Sequence, residues 1–209
     1  MNDSLAHWIN PQNLKTKAIE QQNTIFTIAK PFKHLQIKNF LIEEKAITLQ
    51  EALQEMHFEQ KESDLFKFSQ TQDFETINNK ILKSLQQLFR EKEFIAYIEK
   101  ISAISITKNR IDMAGTCYQS TDFLLPHNDN VGTRKIAFML YLSETFSQND
   151  GGALIFYNTK NKHPTTPAQS YIPEQNSFII FEVSPASFHE VEENLSQKKR
   201  YTIGGWFHT

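Results

Sequence analysis

From about residue 102 to its end, the chain is a succession of short β-type segments with no helical pattern between them. They read ISAISIT, IDMAGTCYQ, DFLLPH, KIAFMLYLS, ALIFYNT, SFIIFEV, ASFHEV and RYTIGGWFH. Turn residues separate them at 128–132, 148–152 and 164–167. Short strands in unbroken succession pair antiparallel, so the sequence predicts a jelly roll, a double-stranded β-helix of two facing sheets. The mouth between such sheets is a natural place for a ligand.

Helical patterns occur only before this region. Residues 43–56 carry apolar residues three and four apart, which predicts one helix, and 74–101 show the same spacing over a length that fits one long helix or two. Residues 32–42 alternate enough to predict a strand entering a turn, whereas 58–73 are polar with isolated aromatics and are interpreted as a loop. The predicted fold class is therefore mainly β, with N-terminal helices that back the jelly roll.

The 209 residues suit one domain with an aromatic-rich core, since 39% are hydrophobic and 17 are Phe. We interpret residues 1–23 as a polar N-terminal arm, either peripheral or a first helix, and 24–209 as the domain proper. Within it, residues 43–101 give helical support and 102–209 form the jelly-roll core.

Composition excludes several classes of protein. A net charge of −2 gives no strong signal for nucleic-acid binding and none for a basic membrane patch. The one cysteine, Cys117, allows neither an internal disulfide nor a cysteine-based zinc site. The N-terminus lacks the pattern of a secretory signal, and no apolar run is long enough to span a bilayer. We therefore expect a cytoplasmic protein without membrane contact.

A His-x-Asp pair lies where the strand DFLLPH ends. Residues two apart in a strand point to the same side, so His127 and Asp129 can aim an imidazole and a carboxylate at one point. Two histidines and one carboxylate form a facial triad, which leaves positions open on an iron ion for oxygenase chemistry. Taken alone, the pair is more often a turn cap, so a third ligand is needed.

His189 supplies that third ligand. It lies on a late strand, some sixty residues after the pair, a separation that can bring the two strands side by side in a jelly roll. The alternative for a lone histidine in a strand is a hydrogen-bonded core residue. Glu190 alternates to the opposite face, and His208, near the chain end, is interpreted as a surface residue.

The last strand offers a site for an anionic co-substrate. Arg200, Thr202 and Trp206 share one of its faces, and an arginine fork binds both oxygens of a carboxylate with fixed geometry. Thr202 could add a hydroxyl contact. Tyr118 and Tyr141 could each donate a phenolic hydrogen bond to the same group. A surface Arg200 and two ordinary core tyrosines are the alternatives.

The order His-x-Asp, distal His and Arg-x-Thr resembles the Fe(II)- and 2-oxoglutarate-dependent oxygenase superfamily. More closely, the chain resembles the catalytic domain of the prolyl 4-hydroxylase-like subgroup that acts on a small-subunit ribosomal protein. The segments that carry this likeness are 62–70, 124–129, 136–142, 181–189 and 205–208. The eukaryotic members carry a second, non-catalytic domain, and we expect this chain to end at the first.

The resemblance implies His127, Asp129 and His189 as iron ligands and Arg200 as the partner of 2-oxoglutarate, with Tyr118 and Tyr141 nearby. It implies Fe(2+), 2-oxoglutarate and O2, with L-ascorbate in support. The implied partner is a protein with a target proline, for which a small-subunit ribosomal protein is the candidate. The implied reaction is hydroxylation of that proline with release of succinate and CO2.

Three rival functions stay open at this point. A nucleic-acid oxygenase of the same fold resembles a pattern with a second arginine six residues after the first, where this chain has Trp206. A small-molecule oxygenase would use the same ligands. A jelly-roll binding module without chemistry would not need an intact triad. Asp129 itself favours hydroxylation over halogenation, which needs an open position in place of the carboxylate.

Overall fold

The computed structural model describes residues 3–107 and 110–209. Five α-helices lie in the first half of the chain: α1 (Asp3–Trp8), α2 (Thr16–Ile28), α3 (Glu43–Gln54), α4 (Lys80–Arg90) and α5 (Lys92–Ser102). A short 3-10 helix, Pro11–Leu14, separates the first two. The predicted helix over 43–56 is confirmed as α3, and the helical pattern over 74–101 resolves into two helices.

Local chemistry fixes the ends of the last two helices. The Asn79 side chain accepts hydrogen bonds from the backbone N–H groups of Ile81 and Leu82, which caps α4. α5 ends where Ala103 adopts a left-handed conformation with φ 55°. Both helices turn their apolar residues towards the sheet, which places them as a supporting layer.

Eleven strands follow or interleave with the helices: β1 (His34–Ile37), β2 (Glu59–Ser63), β3 (Phe66–Gln70), β4 (Ile111–Tyr118), β5 (Phe123–His127), β6 (Arg134–Tyr141), β7 (Leu154–Lys160), β8 (His163–Tyr171), β9 (Phe178–Glu182), β10 (His189–Val191) and β11 (Arg200–His208). They pair in the order β1-β9-β6-β11-β4-β3-β5-β10-β7-β8, and β2 pairs with β3.

The pairing divides into two facing layers joined by β3. One layer contains β9, β6, β11 and β4, and the other contains β5, β10, β7 and β8. Along the chain, β4 lies in the first layer, β5 in the second, β6 in the first, and so on, except for the β7–β8 hairpin. All of the pairings are antiparallel. This alternation is that of a double-stranded β-helix, so the predicted jelly roll is confirmed.

Two hydrophobic clusters hold the layers together. The larger one joins the helices to the outer face of the first layer, where Phe138, Phe178 and Phe207 pack against Phe89 of α4. The smaller one lies between the layers and includes Phe156 and Phe181. Buried phenylalanines therefore support both layers, and Leu154 and Phe181 of the inner cluster line the cavity.

Some predicted boundaries were wrong. Residues 58–73, interpreted as a loop, form the β2–β3 hairpin, because β2 is exposed along its whole length and shows no apolar alternation. The turn expected at 164–167 lies inside β8, an edge strand of mostly exposed residues where proline is tolerated. The first predicted β-type segment, residues 101–107, is not a strand. Residues 101 and 102 are the end of α5, and residues 103–107 are coil.

The described part of the segment predicted as an N-terminal arm is helical and packed. α1 and most of α2 fall within residues 1–23, and Trp8 and Ile9 belong to the main core. Gln22 and Phe26 are buried on α2. Within the described ranges, no helix has the length and the apolar character that a bilayer span needs.

Candidate metal and anion site

Strand pairing brings the three predicted metal ligands together. His127 is the last residue of β5 and His189 is the first residue of β10, and the two stand directly opposite each other in the antiparallel pair. Their imidazole centroids are 4.2 Å apart. Asp129 follows in the turn after β5, where its φ of 56° bends the chain so that its carboxylate faces both rings.

The donor atoms of this triad converge. His189 Nε2 lies 3.3 Å from Asp129 Oδ2, and His127 Nε2 lies 3.6 Å from Asp129 Oδ1. One ligand atom of each residue lies within 4.8 Å of the others, and no other cluster of three such residues occurs in the described part of the chain. This is a separation that one metal ion can bridge.

The second nitrogen of each imidazole is held by the backbone. His127 Nδ1 lies 3.0 Å from the carbonyl oxygen of Leu125, and His189 Nδ1 lies 2.9 Å from that of Ser187. A carbonyl oxygen only accepts, so each Nδ1 carries the proton and donates it. Both Nε2 atoms are therefore left with a lone pair directed at the site, as a metal requires.

The charges of the triad suit a cation. Burial, reinforced by His189, lowers the pKa of His127 to about 4. Burial alone would raise the pKa of Asp129, but its contacts with His189, His127 and the Trp206 N–H outweigh burial and hold the pKa well below its ordinary value. At neutral pH the pair is therefore a neutral imidazole and a carboxylate, the forms that bind metals.

Arg200 lies deep in the same cavity, at 1% exposure. Its Nη2 donates to the hydroxyl oxygen of Tyr141 at 3.1 Å, and its Nε has no hydrogen-bond partner. Among the described residues, no carboxylate oxygen lies within 4.0 Å of its guanidinium nitrogens. A buried cation without an anion is costly, so the geometry predicts an anionic ligand at this point.

Aromatic rings and hydroxyls surround that guanidinium. Its carbon lies 4.9 Å from the ring centroid of Tyr118 and 5.0 Å from that of Tyr141. Burial raises the pKa of both phenols, against the opposing influence of Arg200, so each keeps its proton. Thr202 is in hydrogen-bond contact with Thr116 of β4. The anion position thus has one cation with the Tyr141 hydroxyl bonded to it, and Thr116, Tyr118 and Thr202 line the same cavity.

One cavity of about 380 Å³ joins the triad to the anion position. His127, Asp129 and His189 line one part of it, while Arg200 and Thr202 line another. Tyr118 and Trp206 also line the cavity, and Tyr141 lies behind it, where it accepts a hydrogen bond from Arg200. All eight residues singled out in the sequence therefore lie at or directly behind one cavity.

One residue lies elsewhere than the sequence predicted, and other residues of the cavity were not predicted. His208, interpreted as a surface residue, is 3% exposed, with Nδ1 3.0 Å from the Thr133 hydroxyl and Nε2 3.1 Å from an Asp112 oxygen. The prediction was wrong because His208 is near the end of the chain and yet belongs to β11, a central strand. Thr116 could have been found, because it alternates with Tyr118 on β4. For Arg134, no sequence feature of this kind indicated a place at the site.

The sequence of residues 113–208 matches the family profile described as the 2OG-Fe(II) oxygenase superfamily. The chain is 38% identical over 181 residues to Prolyl 3-hydroxylase OGFOD1 of Mus musculus, covering 85% of this chain and 33% of the relative. It is 36% identical over 183 residues to Prolyl 3,4-dihydroxylase OGFOD1 of Ostreococcus tauri, covering 77% and 35%. The chain thus spans about a third of the length of these curated relatives.

Solved structures share the fold. A prolyl hydroxylase from Trichoplax adhaerens, in complex with a hypoxia inducible factor peptide fragment, superposes with a TM-score of 0.71 at 17% identity, over 95% of this chain and 93% of that one. A Pseudomonas putida prolyl-4-hydroxylase gives a TM-score of 0.69 at 14% identity, over 90% and 98%. These likenesses agree with the double-stranded β-helix described above.

Proposed function

The chain belongs to the 2OG-Fe(II) oxygenase superfamily, and on that premise we propose that it is a dioxygenase that hydroxylates a prolyl residue of a protein. The proposed reaction consumes 2-oxoglutarate and O2 and releases succinate and CO2. The proposed catalytic domain is residues 24–209, with 43–101 and the packed N-terminal helices as support and 102–209 as the jelly-roll core.

The donor set of the triad fits Fe(II). Two imidazole nitrogens and one carboxylate are the ligands of non-haem iron oxygenases, and they leave positions for a co-substrate and O2. In this proposal His127, Asp129 and His189 hold the ion. When bound, the iron and 2-oxoglutarate supply the oxidising chemistry that attacks an unactivated C–H bond, while the protein supplies position and electrostatics.

The buried, carboxylate-free guanidinium of Arg200 is the observation that carries the proposal. 2-Oxoglutarate has one carboxylate and keto group that can reach a metal and a second carboxylate at its far end. A site that offers a metal triad and a buried cation in one cavity fits both ends. Here Arg200 binds the far carboxylate through its Nε and free Nη hydrogens.

The hydroxyl groups around Arg200 complete this anion site. Tyr141 already accepts from Arg200, so its own proton is available to donate to a carboxylate oxygen. Tyr118 and Thr202 line the same region and are assigned as further contacts. Because these groups stay neutral, the net charge of the anion site is that of Arg200 alone, which suits one carboxylate.

The prolyl substrate is proposed from the relatives, several of which are named prolyl hydroxylases. Their names favour C3 as the ring carbon. The resemblance in sequence extends the proposal to a small-subunit ribosomal protein in the cytoplasm, with L-ascorbate as a supporting reductant. That extension rests on the relatives and not on a feature of this cavity.

The test is oxygen incorporation into a peptide. The protein with Fe(II), 2-oxoglutarate and ascorbate is incubated with prolyl peptides from the host's small ribosomal subunit, and with the same peptides carrying alanine for proline. We expect succinate together with the mass gain of one oxygen on the prolyl peptide alone, and neither product with His127→Ala. Succinate without peptide oxidation would refute the prolyl substrate, and no succinate at all would refute the dioxygenase.

A further inference from the structure

The Asp129 carboxylate has partners besides the two histidines. Trp206 Nε1 donates a hydrogen bond to Asp129 Oδ2 at 3.0 Å. Arg134 Nη1 lies 3.8 Å from the other oxygen, Oδ1. Both oxygens of the carboxylate are therefore in contact with donors that are not candidate metal ligands.

Trp206 and Arg134 also hold each other. The guanidinium carbon of Arg134 lies 3.5 Å from the centroid of the Trp206 ring, a stacked cation–π contact. The two residues come from neighbouring strands, since Trp206 of β11 stands opposite Ala137 of β6, and Arg134 begins β6. The stack fixes the plane of the indole and with it the direction of its N–H group.

Asp129 needs such an external partner. It lies outside the strand ladder, in a turn with φ 56°, so the pairing of β5 with β10 does not fix its side chain. The terminal torsion of an aspartate is weakly restricted, and its carboxylate rotates easily about the Cβ–Cγ bond. An indole N–H can only donate, so it holds one carboxylate oxygen and competes with no ligand for the metal.

We propose that Trp206 is a positioning residue for the metal site: its Nε1–H keeps Oδ2 of Asp129 engaged, and Arg134 locks the indole in place. Asp129 then presents a single oxygen to the ion and occupies one coordination position instead of two. This assignment rests on the proposed iron site. Trp206 is then a residue outside the triad on which the open coordination positions for the co-substrate and O2 depend.

The test uses Mn(II) as a redox-stable probe of the same site, with affinity measured by calorimetry. Trp206→Phe keeps the ring and removes the donor, and the matched control is Trp8→Phe, the same change at the other of the two tryptophans, in the helical layer. We expect Trp206→Phe to bind Mn(II) roughly 10-fold more weakly or worse, and Trp8→Phe to bind as wild type. Arg134→Gln should show a smaller loss.

The outcomes separate the two proposals. Wild type that binds no Mn(II) refutes the metal site itself, whereas wild type and Trp206→Phe with equal affinity overturn the role of Trp206 alone. If Trp206→Phe does not fold, the Trp8→Phe protein carries a single indole whose N–H resonance is followed by NMR. Addition of Zn(II) should shift that resonance, and a resonance that does not move overturns the proposal.

Discussion

At the scale of single residues, the proposed anion site depends on Arg200. Its guanidinium is almost fully buried, donates to Tyr141, and lacks a carboxylate among the described residues within 4.0 Å. Such a group is stable only when the rings around it or a ligand compensate the charge. The rings of Tyr118 and Tyr141 compensate part of the charge, and a bound carboxylate would compensate the rest.

Replacing this cation should weaken co-substrate binding. Arg200→Gln loses a charge-assisted pair, and we expect the KM for 2-oxoglutarate to rise roughly 10- to 100-fold. The matched control is Lys199→Gln, which removes the adjacent but exposed cation and should leave KM unchanged. Equal KM values for wild type and Arg200→Gln would show that the anion lies elsewhere.

The residues of the site could be predicted because strand alternation is a local rule. It placed Arg200, Thr202 and Trp206 on one face, and the structure shows all three on the cavity wall. The contact of Trp206 with Asp129 could not be predicted, since it joins residues 77 positions apart whose approach depends on the whole strand order. The burial of His208 was not predicted for the same reason, because it depends on Asp112 and Thr133, which lie far away in sequence.

At the scale of elements, β11 is the strand on which the site depends. It pairs with β4 on one side and β6 on the other, and it approaches β4 closely at Gly205. A Cβ at Gly205 would lie 1.8 Å from the backbone oxygen of Asp112, whereas one at the neighbouring Gly204 would lie 3.3 Å from that of Phe138. Backbone atoms in a central strand cannot yield as a flexible side chain can.

Gly205→Ala should therefore destabilise the protein by about 3 kcal/mol or more, because overpacking against a central strand displaces backbone. Gly204→Ala, one residue away, serves as the matched control and should lose clearly less. The free energy of unfolding of each variant, measured with urea, checks this. A Gly204→Ala loss equal to or greater than that of Gly205→Ala would contradict the observed register of β4 and β11.

β1 carries a buried histidine that makes stability depend on pH. Burial lowers the pKa of His34 below its ordinary 6.5, against a hydrogen bond to the carbonyl of Phe32. Below pH 6.5 the unfolded chain therefore binds a proton that the folded state refuses. This contribution to stability is complete above about pH 6.5 and is lost as the pH falls towards the lower, folded value.

His34→Gln should remove this part of the pH dependence. We expect the free energy of unfolding to fall less steeply between pH 7 and pH 5, roughly the titration range of an ordinary histidine, than it does in wild type. His163→Gln, at an exposed position of β8, should keep the wild-type slope. Parallel slopes for wild type and His34→Gln would show that His34 is protonated within the fold.

The elements that sequence patterns missed are those that bury little. β2 is exposed at all five positions and β8 at most of its own, so neither shows the apolar alternation by which strands are recognised. They form because a neighbouring strand offers backbone partners. The helices α3 and α4 and the strands around the cavity bury one face and were predicted from that face.

At the scale of the whole molecule, the N-terminal segment is part of the packed structure. Its composition is polar, but Trp8 and Ile9 are 8% and 0% exposed in the main core. Composition averages over a segment, whereas packing depends on a few apolar residues, and for that reason the extent of its burial was not predictable from sequence.

Removal of residues 1–23 should thus cost about 3–6 kcal/mol from the loss of these two side chains alone, a large share of the stability of an ordinary domain. Urea unfolding of the shortened protein measures it. As a control, Ile28→Ala changes a residue of α2 just beyond the removed segment that is 68% exposed, and it should have little effect. A shortened protein with wild-type stability would show that the segment is a dispensable arm.

We propose that one cavity holds Fe(II) through His127, Asp129 and His189 and 2-oxoglutarate through Arg200. Its most direct test is anaerobic calorimetry, with Fe(II) titrated first and 2-oxoglutarate second. We expect one Fe(II) per chain in wild type, loss of that binding in His189→Ala, and retained Fe(II) binding with strongly weakened 2-oxoglutarate binding in Arg200→Gln. Undiminished Fe(II) binding by His189→Ala, or undiminished 2-oxoglutarate binding by Arg200→Gln, would contradict it.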